Sequence, residues 1–321
     1  MPSLGLLLPL GLLMAALFII TILVSGIVVP GWLFLGPGGS PDPLSGGMSV
    51  GQLQEVAPPG AVQQIRQKLQ RYQPNLQLIT PNNDSVIKSD SIELMLEVRD
   101  WPVGTDSELG IGPHVAVQVD NRPALQLDEI DENRLLVRID DLSPGSHRFS
   151  AWAAYPWGEA VKTPGAMIQG RFHLWQRTEG TQPQEKEPWL VAVTNTNGSA
   201  LQPILLDWII WNAPLQNLRD GDERWKLRLS VNDESFLVDS QEAIWLAGTT
   251  VNSDNLVQME LLNEIGEIIT PVFNNQLIHQ SASKTTNPIW LQAHLTDEEV
   301  IRLSGEPYAI SLELEHFTEP K

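Results

Sequence analysis

The chain has 321 residues, room for two domains of ordinary size and a tether, and its 39 acidic and 20 basic side chains leave a formal charge of −19. A surface of that sign repels nucleic acid and anionic lipid headgroups. The absence of cysteine excludes disulfides, thiolate metal sites, thiol nucleophiles and a lipid-modified cysteine anchor.

Residues 4–35 carry no charge and are mostly Leu, Ile, Val, Ala, Met and Phe, a run longer than the roughly 20 residues that cross a bilayer. The first charged side chain is Asp42. Pro9 and Pro30-Gly31 bracket the straightest stretch, and Trp32 sits where an interfacial aromatic is placed. A cleaved signal peptide has a shorter apolar core and a basic n-region, so the expectation is a retained single-pass anchor at 1–35, with the lipid bilayer as its partner. Neither flank offers a basic residue close by, and the N-terminal amine alone favours placing the soluble region in a periplasm or lumen.

Residues 36–60 are rich in Gly, Pro and Ser and read as a flexible linker. Over 61–73, Val62, Ile65, Leu69 and Tyr72 form one apolar stripe of a short helix that docks on its own domain, and Pro74 ends it. The period then becomes two. Ile92, Leu94, Leu96 and Val98 alternate with polar residues as in a half-buried strand. Val115, Val117 and Val119 lead into a turn at Asp120-Asn121 and a return through Leu125 and Leu127, a hairpin. Pro144-Gly145 feeds a strand with Phe149, Ala151 and Ala153 on one face and Trp152 on the other. Short strands with frequent turns predict a β-sandwich at 74–177.

The polar run at 178–187 reads as a linker to a second domain at 188–321. There the hairpin pattern recurs about 110 residues on, with Leu227, Leu229 and Val231 before Asn232-Asp233 and Phe236-Leu237-Val238 after. Its tail predicts a helix with Thr296 as N-cap, Glu299 closing a capping box and Gly305 at the exit, then a strand carrying Ile310, Leu312 and Leu314. The fold class is thus mainly β: an N-terminal transmembrane helix and two tandem sandwiches.

Several segments carry a resemblance. These are Gly112-Pro113-His114-Val115 with Val119-Asp120-Asn121-Arg122-Pro123, the 142–147 turn, Pro203-Ile204-Leu205-Leu206-Asp207, Asn212-Ala213-Pro214-Leu215 and Val272-Phe273-Asn274-Asn275. Together they resemble a family of uncharacterised cyanobacterial membrane-anchored proteins. The resemblance implies immunoglobulin-like domains, a single span and a plasma or thylakoid membrane, and it supplies no reaction. The family pattern has further histidines where this chain has Ala116 and Gly158, so no metal role carries over.

His114 and His147 lie on separate strands without an H-x-H or H-E-x-x-H spacing, and the acidic clusters at 128–132, 140–141 and 220–223 lack the spaced calcium loop. No G-x-S-x-G elbow, phosphate loop or dinucleotide fingerprint is present. The expectation is a non-enzyme without cofactor that scaffolds or assembles a membrane complex through a protein partner. Its candidate surface is His114, Asp120, Asn121, Trp152, Tyr155 and Trp157. A glycan-binding protein using the same tryptophans is the alternative, and a carboxylate hydrolase comes third.

Overall fold

A computed structural model describes residues 53–178, 187–193, 202–213, 215, 226–248, 254–270, 272–280 and 287–305. The expected membrane span, the 310–314 strand and most of the inter-domain linker lie outside these residues. Among the described residues no helix is long and apolar enough to cross a membrane.

The first elements are β1 (Gln54–Glu55) and α1 (Gly60–Leu69), followed by β2 (Asn75–Thr80), β3 (Ser85–Ile87), β4 (Ile92–Arg99) and β5 (His114–Val119). Next come β6 (Leu125–Leu127), β7 (Arg134–Ile139), β8 (Gly145–Ala154) and β9 (Met167–Leu174). From β2 to β9 these strands form a three-stranded sheet, β2-β4-β7, facing a five-stranded one, β3-β9-β8-β5-β6, in which β3 runs parallel to β9. That strand order is the immunoglobulin and fibronectin type of sandwich. Alternation builds its core. Val115, Val117 and Val119 on β5 pair with Ala153, Ala151 and Phe149 on β8, and all six point inward onto Leu94, Leu96 and Val137.

The second half contributes β10 (Trp189–Ala192), β11 (Ile204–Leu206), β12 (Trp208–Trp211), β13 (Lys226–Val231), β14 (Glu234–Val238) and β15 (Ile244–Ala247). After them come β16 (Asn255–Leu262), β17 (Asn275–Gln280) and the closing helix α2 (Asp297–Leu303). The sheet β14-β13-β16-β17 shares one core with the short sheets β10-β12 and β1-β15-β11. The expected hairpin is present as β13 and β14, with Leu229 opposite Phe236.

The two halves are interlocked by their ends. β1 lies inside the segment expected as linker, yet it pairs with β15, and Leu53 before it is buried in the second core. The Gly and Pro around it hide a short run whose Leu53 has a core to enter. α2 has the expected capping box, but it leaves the second half and packs on the first, where Leu295, Val300 and Leu303 join the core with Ala61, Val62, Ile65 and Leu69 of α1. Arg302 holds both oxygens of Asp106, and Gln64 exchanges hydrogen bonds with the Leu295 backbone. The approach is close enough that a Cβ on Gly60 would meet the Ala293 carbonyl oxygen at 1.9 Å, so only glycine fits there.

Candidate functional site at the sandwich junction

All ten residues of β8 are buried, although only its inward face meets the first core. The other face carries Ser146, Arg148, Ser150, Trp152 and Ala154. It lies against β10 and β12 of the second half, where Ala116, Trp152 and Ala154 pack with Trp189, Val191, Ile209 and Phe273. Trp152 does point away from Phe149 and Ala151 as its spacing predicts. It is 1% exposed, because the second sandwich covers that face.

A pin holds the junction from the turn between β8 and β9. Asp207 sits at the break between β11 and β12, with no exposed surface. Its carboxylate accepts the backbone N–H of Ala160 at 2.7 Å, and also the Lys162 ammonium and the Trp208 N–H. Lys162 donates in addition to the Gln241 carbonyl. Two charges taken from water are tolerated because every oxygen has a donor.

Beside the pin, Tyr155 and Trp157 stack at 4.8 Å, with the Arg66 guanidinium 5.8 and 5.7 Å from their rings. Arg66 from α1 grips both oxygens of Glu159, which also accepts the Trp157 indole N–H at 2.8 Å. Burial pushes the Glu159 carboxyl above the ordinary range, and Arg66 pulls the other way. Trp157 is therefore a buried strut. His114 is buried too, its Nδ1 against the Gly112 carbonyl at 3.0 Å and its pKa lowered by burial.

The expected surface thus divides. Trp152, Trp157 and His114 face packed protein and offer no stacking platform, so the glycan reading loses the tryptophans it rested on. Tyr155 is half-buried in the strut. Asp120 and Asn121 remain at an accessible edge, and they meet two residues that spacing did not single out together, His147 and Arg148. Asp120, at φ 51°, accepts the Arg148 N–H through Oδ1 and the His147 Nδ1–H through Oδ2 at 2.7 Å. The other ring nitrogen of His147 faces the Ser143 carbonyl at 2.8 Å. Burial lowers the histidine pKa, but the Asp120 bond and the Ser143 carbonyl outweigh it and raise the net value.

Arg148 is 4% exposed. Its guanidinium lies 4.0 Å from the Phe273 ring and 5.4 Å from that of Trp189, and donates to Asn121 Oδ1. Desolvation pulls its pKa down to about 10. Asp120, Asn121, Ser143, His147, Arg148 and Phe273 border a solvent-open recess of about 320 Å³. A second recess of about 330 Å³, bordered by His114, Trp152, Gln276 and Leu277, shares Asn121 with it. No signal in the sequence marks Arg148, since an arginine alternating with serines reads as a solvent face. Among the described residues no group of three His, Asp or Glu is placed to hold a metal ion.

No protein-family model matches the chain, and no curated protein matches it. Solved structures do align. The fibronectin(III)-like modules of Clostridium thermocellum CbhA share 11% identity over 69% of this chain and 96% of theirs, with a TM-score of 0.21. Latent PorU from Porphyromonas gingivalis shares 13% over 68% of this chain and 21% of its own, with a TM-score of 0.25. The central fibronectin-III array of RIM-binding protein shares 12% over 68% and 71%, with a TM-score of 0.23. Scores of this size carry no functional argument, and the sandwich assignment stands on the strand pairing.

Proposed function

We propose that the chain is a non-enzymatic protein-interaction module, held at a membrane by its apolar N-terminal run and serving a membrane complex as a scaffold or assembly factor. One observation carries the reading. In the first sandwich the outer face of the sheet containing β5 and β8 is covered by a neighbouring domain. In the second, the register places Leu237 beside Arg228, Leu277 beside Gln258 and Leu256 beside His279 on the outer face of the matching sheet. All three leucines are exposed, Leu277 by 64%. An open face of the same type, with exposed leucines set among polar residues, suits docking of a partner protein.

The membrane tether rests on the sequence of residues 4–35 and on the family resemblance. Protease protection of intact vesicles tests it, with fragments of the soluble region shielded if it faces a periplasm or lumen. The interaction reading is tested by affinity purification with crosslinking from solubilised membranes. Wild-type protein is expected to recover a stable protein neighbour that Leu237→Asp with Leu277→Asp loses. Recovery of no neighbour, or of the same neighbour by the double variant, would overturn it.

A further inference from the structure

We infer that the recess bordered by Asp120, Asn121, Ser143, His147, Arg148 and Phe273 binds a carboxylate, with the Arg148 guanidinium as its counter-charge. This site lies where Phe273 of the second half meets the first sandwich, and it does not rest on the docking face described above.

Arg148 carries a charge that its surroundings leave unbalanced. Arg148 is all but sealed from water, yet no carboxylate pairs with it among the described residues, and Asn121 Oδ1 is the acceptor it has. Its Nε–H is buried without any acceptor. A buried guanidinium left in this state is strongly unfavourable, and buried charges are ordinarily paired. The nearby acid does not discharge it. Asp120 directs one oxygen at the Arg148 backbone and the other at His147, whose two ring nitrogens both face acceptors, the arrangement of an imidazolium. Among the described residues bordering the recess, one carboxylate stands against two cations, in a chain whose total charge is −19.

The shape selects the anion. Phe273 and Trp189 lie close to the guanidinium, which favours approach by a ligand in its own plane. A planar carboxylate matches that edge, and its single charge matches the excess. A phosphate dianion overshoots the charge and brings a further negative group toward Asp120. The second recess adjoins the first at Asn121. A carboxylate borne on a longer body, such as the C-terminus of a peptide, has space to lie there.

The test uses the full chain in detergent, with thermal melting and titration calorimetry at fixed ionic strength. The probes are sodium acetate, sodium phosphate, and one short uncharged peptide with either a free or an amidated C-terminus. Acetate is expected to raise the melting temperature saturably, and the free peptide to bind at least about tenfold more tightly than the amidated one if the natural source is a peptide. Equal affinity of acetate and the free peptide would indicate a small acid as the source. Arg148→Met should abolish every response while folding normally, since it removes a buried charge along with its site, and Arg148→Lys should weaken binding about tenfold because the planar fork is gone. The proposal falls if no carboxylate shifts the wild type, if the shift survives Arg148→Met, or if phosphate binds more tightly than acetate.

Discussion

The turns that close the two sandwiches are built alike and used differently. In the first, Tyr155 N–H reaches the Glu159 carbonyl, Gly158 N–H reaches that of Tyr155, and Val161 N–H reaches that of Ala153. In the second, Asn263, Gly266 and Ile269 make the same three bonds to Glu267, Asn263 and Leu261. Gly158 and Gly266 both sit at positive φ, 92° and 87°. Yet Trp157 is buried at the junction, whereas Ile265 at the matching place is 72% exposed. The backbone repeat defines the turn, and the side chains decide whether it is a joint or a tip.

Asp207 makes the joint, and its loss should be the largest single effect. Asp207→Ala strips the Ala160 N–H and the Lys162 ammonium of their acceptor in a buried place, which costs about 3–5 kcal/mol. Urea unfolding measures it. A loss under about 1 kcal/mol would mean that the apolar contacts alone hold the halves together.

Close behind is the pair Trp157→Ala and Ile265→Ala. The first removes a stacked, hydrogen-bonded ring and should cost about 3–5 kcal/mol, and the second should stay within about 0.5 kcal/mol. Equal losses would show that the second turn is also packed in solution. The glycines sharpen the comparison in the opposite way. No atom lies within 4 Å of an added Cβ at Gly158 or Gly266, so alanine meets only the backbone penalty of positive φ. Both substitutions should cost about 1–2 kcal/mol, and equally, despite their different surroundings.

What could be read from the sequence follows this division. Period-two alternation locates the strands around Ile92, Val115 and Leu227, and the tolerance of Asp and Asn for left-handed φ locates both corners, since Asp120 and Asn232 sit at 51° and 53°. The capping box at Thr296 and Glu299 was equally plain. The junction was hidden because Ser146, Arg148 and Ser150 give a covered face the look of a wet one. The partners of Asp207, Ala160 and Lys162, are remote in sequence, so nothing local distinguishes it from any strand-end aspartate. Residues 54 and 55 are polar because they form an edge strand, which in a Gly/Pro-rich stretch reads as tether. Trp152 and Trp157 read as a surface because counting aromatics does not say which face another domain will cover.

The smallest predicted effect separates the corners themselves. Asp120 Oδ1 accepts from Arg148 N, as Asn232 Oδ1 accepts from Leu256 N, so the backbone bridge is common to both repeats. The second bond differs in kind. In the first repeat it joins His147 to Asp120, whereas in the second it joins the amides of Asn232 and Asn255 at 2.9 Å. Only the first can titrate. Because the folded His147 pKa lies above its unfolded value near 6.5, its contribution is complete below that pH and is lost as pH rises through the raised folded value. Melting temperature should therefore fall between about pH 6 and 8 through this pair, an effect of about 1 kcal/mol or less. Asp120→Asn with His147→Asn copies the second corner into the first and should flatten that part of the profile while keeping the bridge to Arg148. A profile unchanged by the double substitution would move the titrating group elsewhere. Flattening by His147→Asn alone, with Asp120 retained, would assign the dependence to the imidazolium rather than to the carboxylate that faces it.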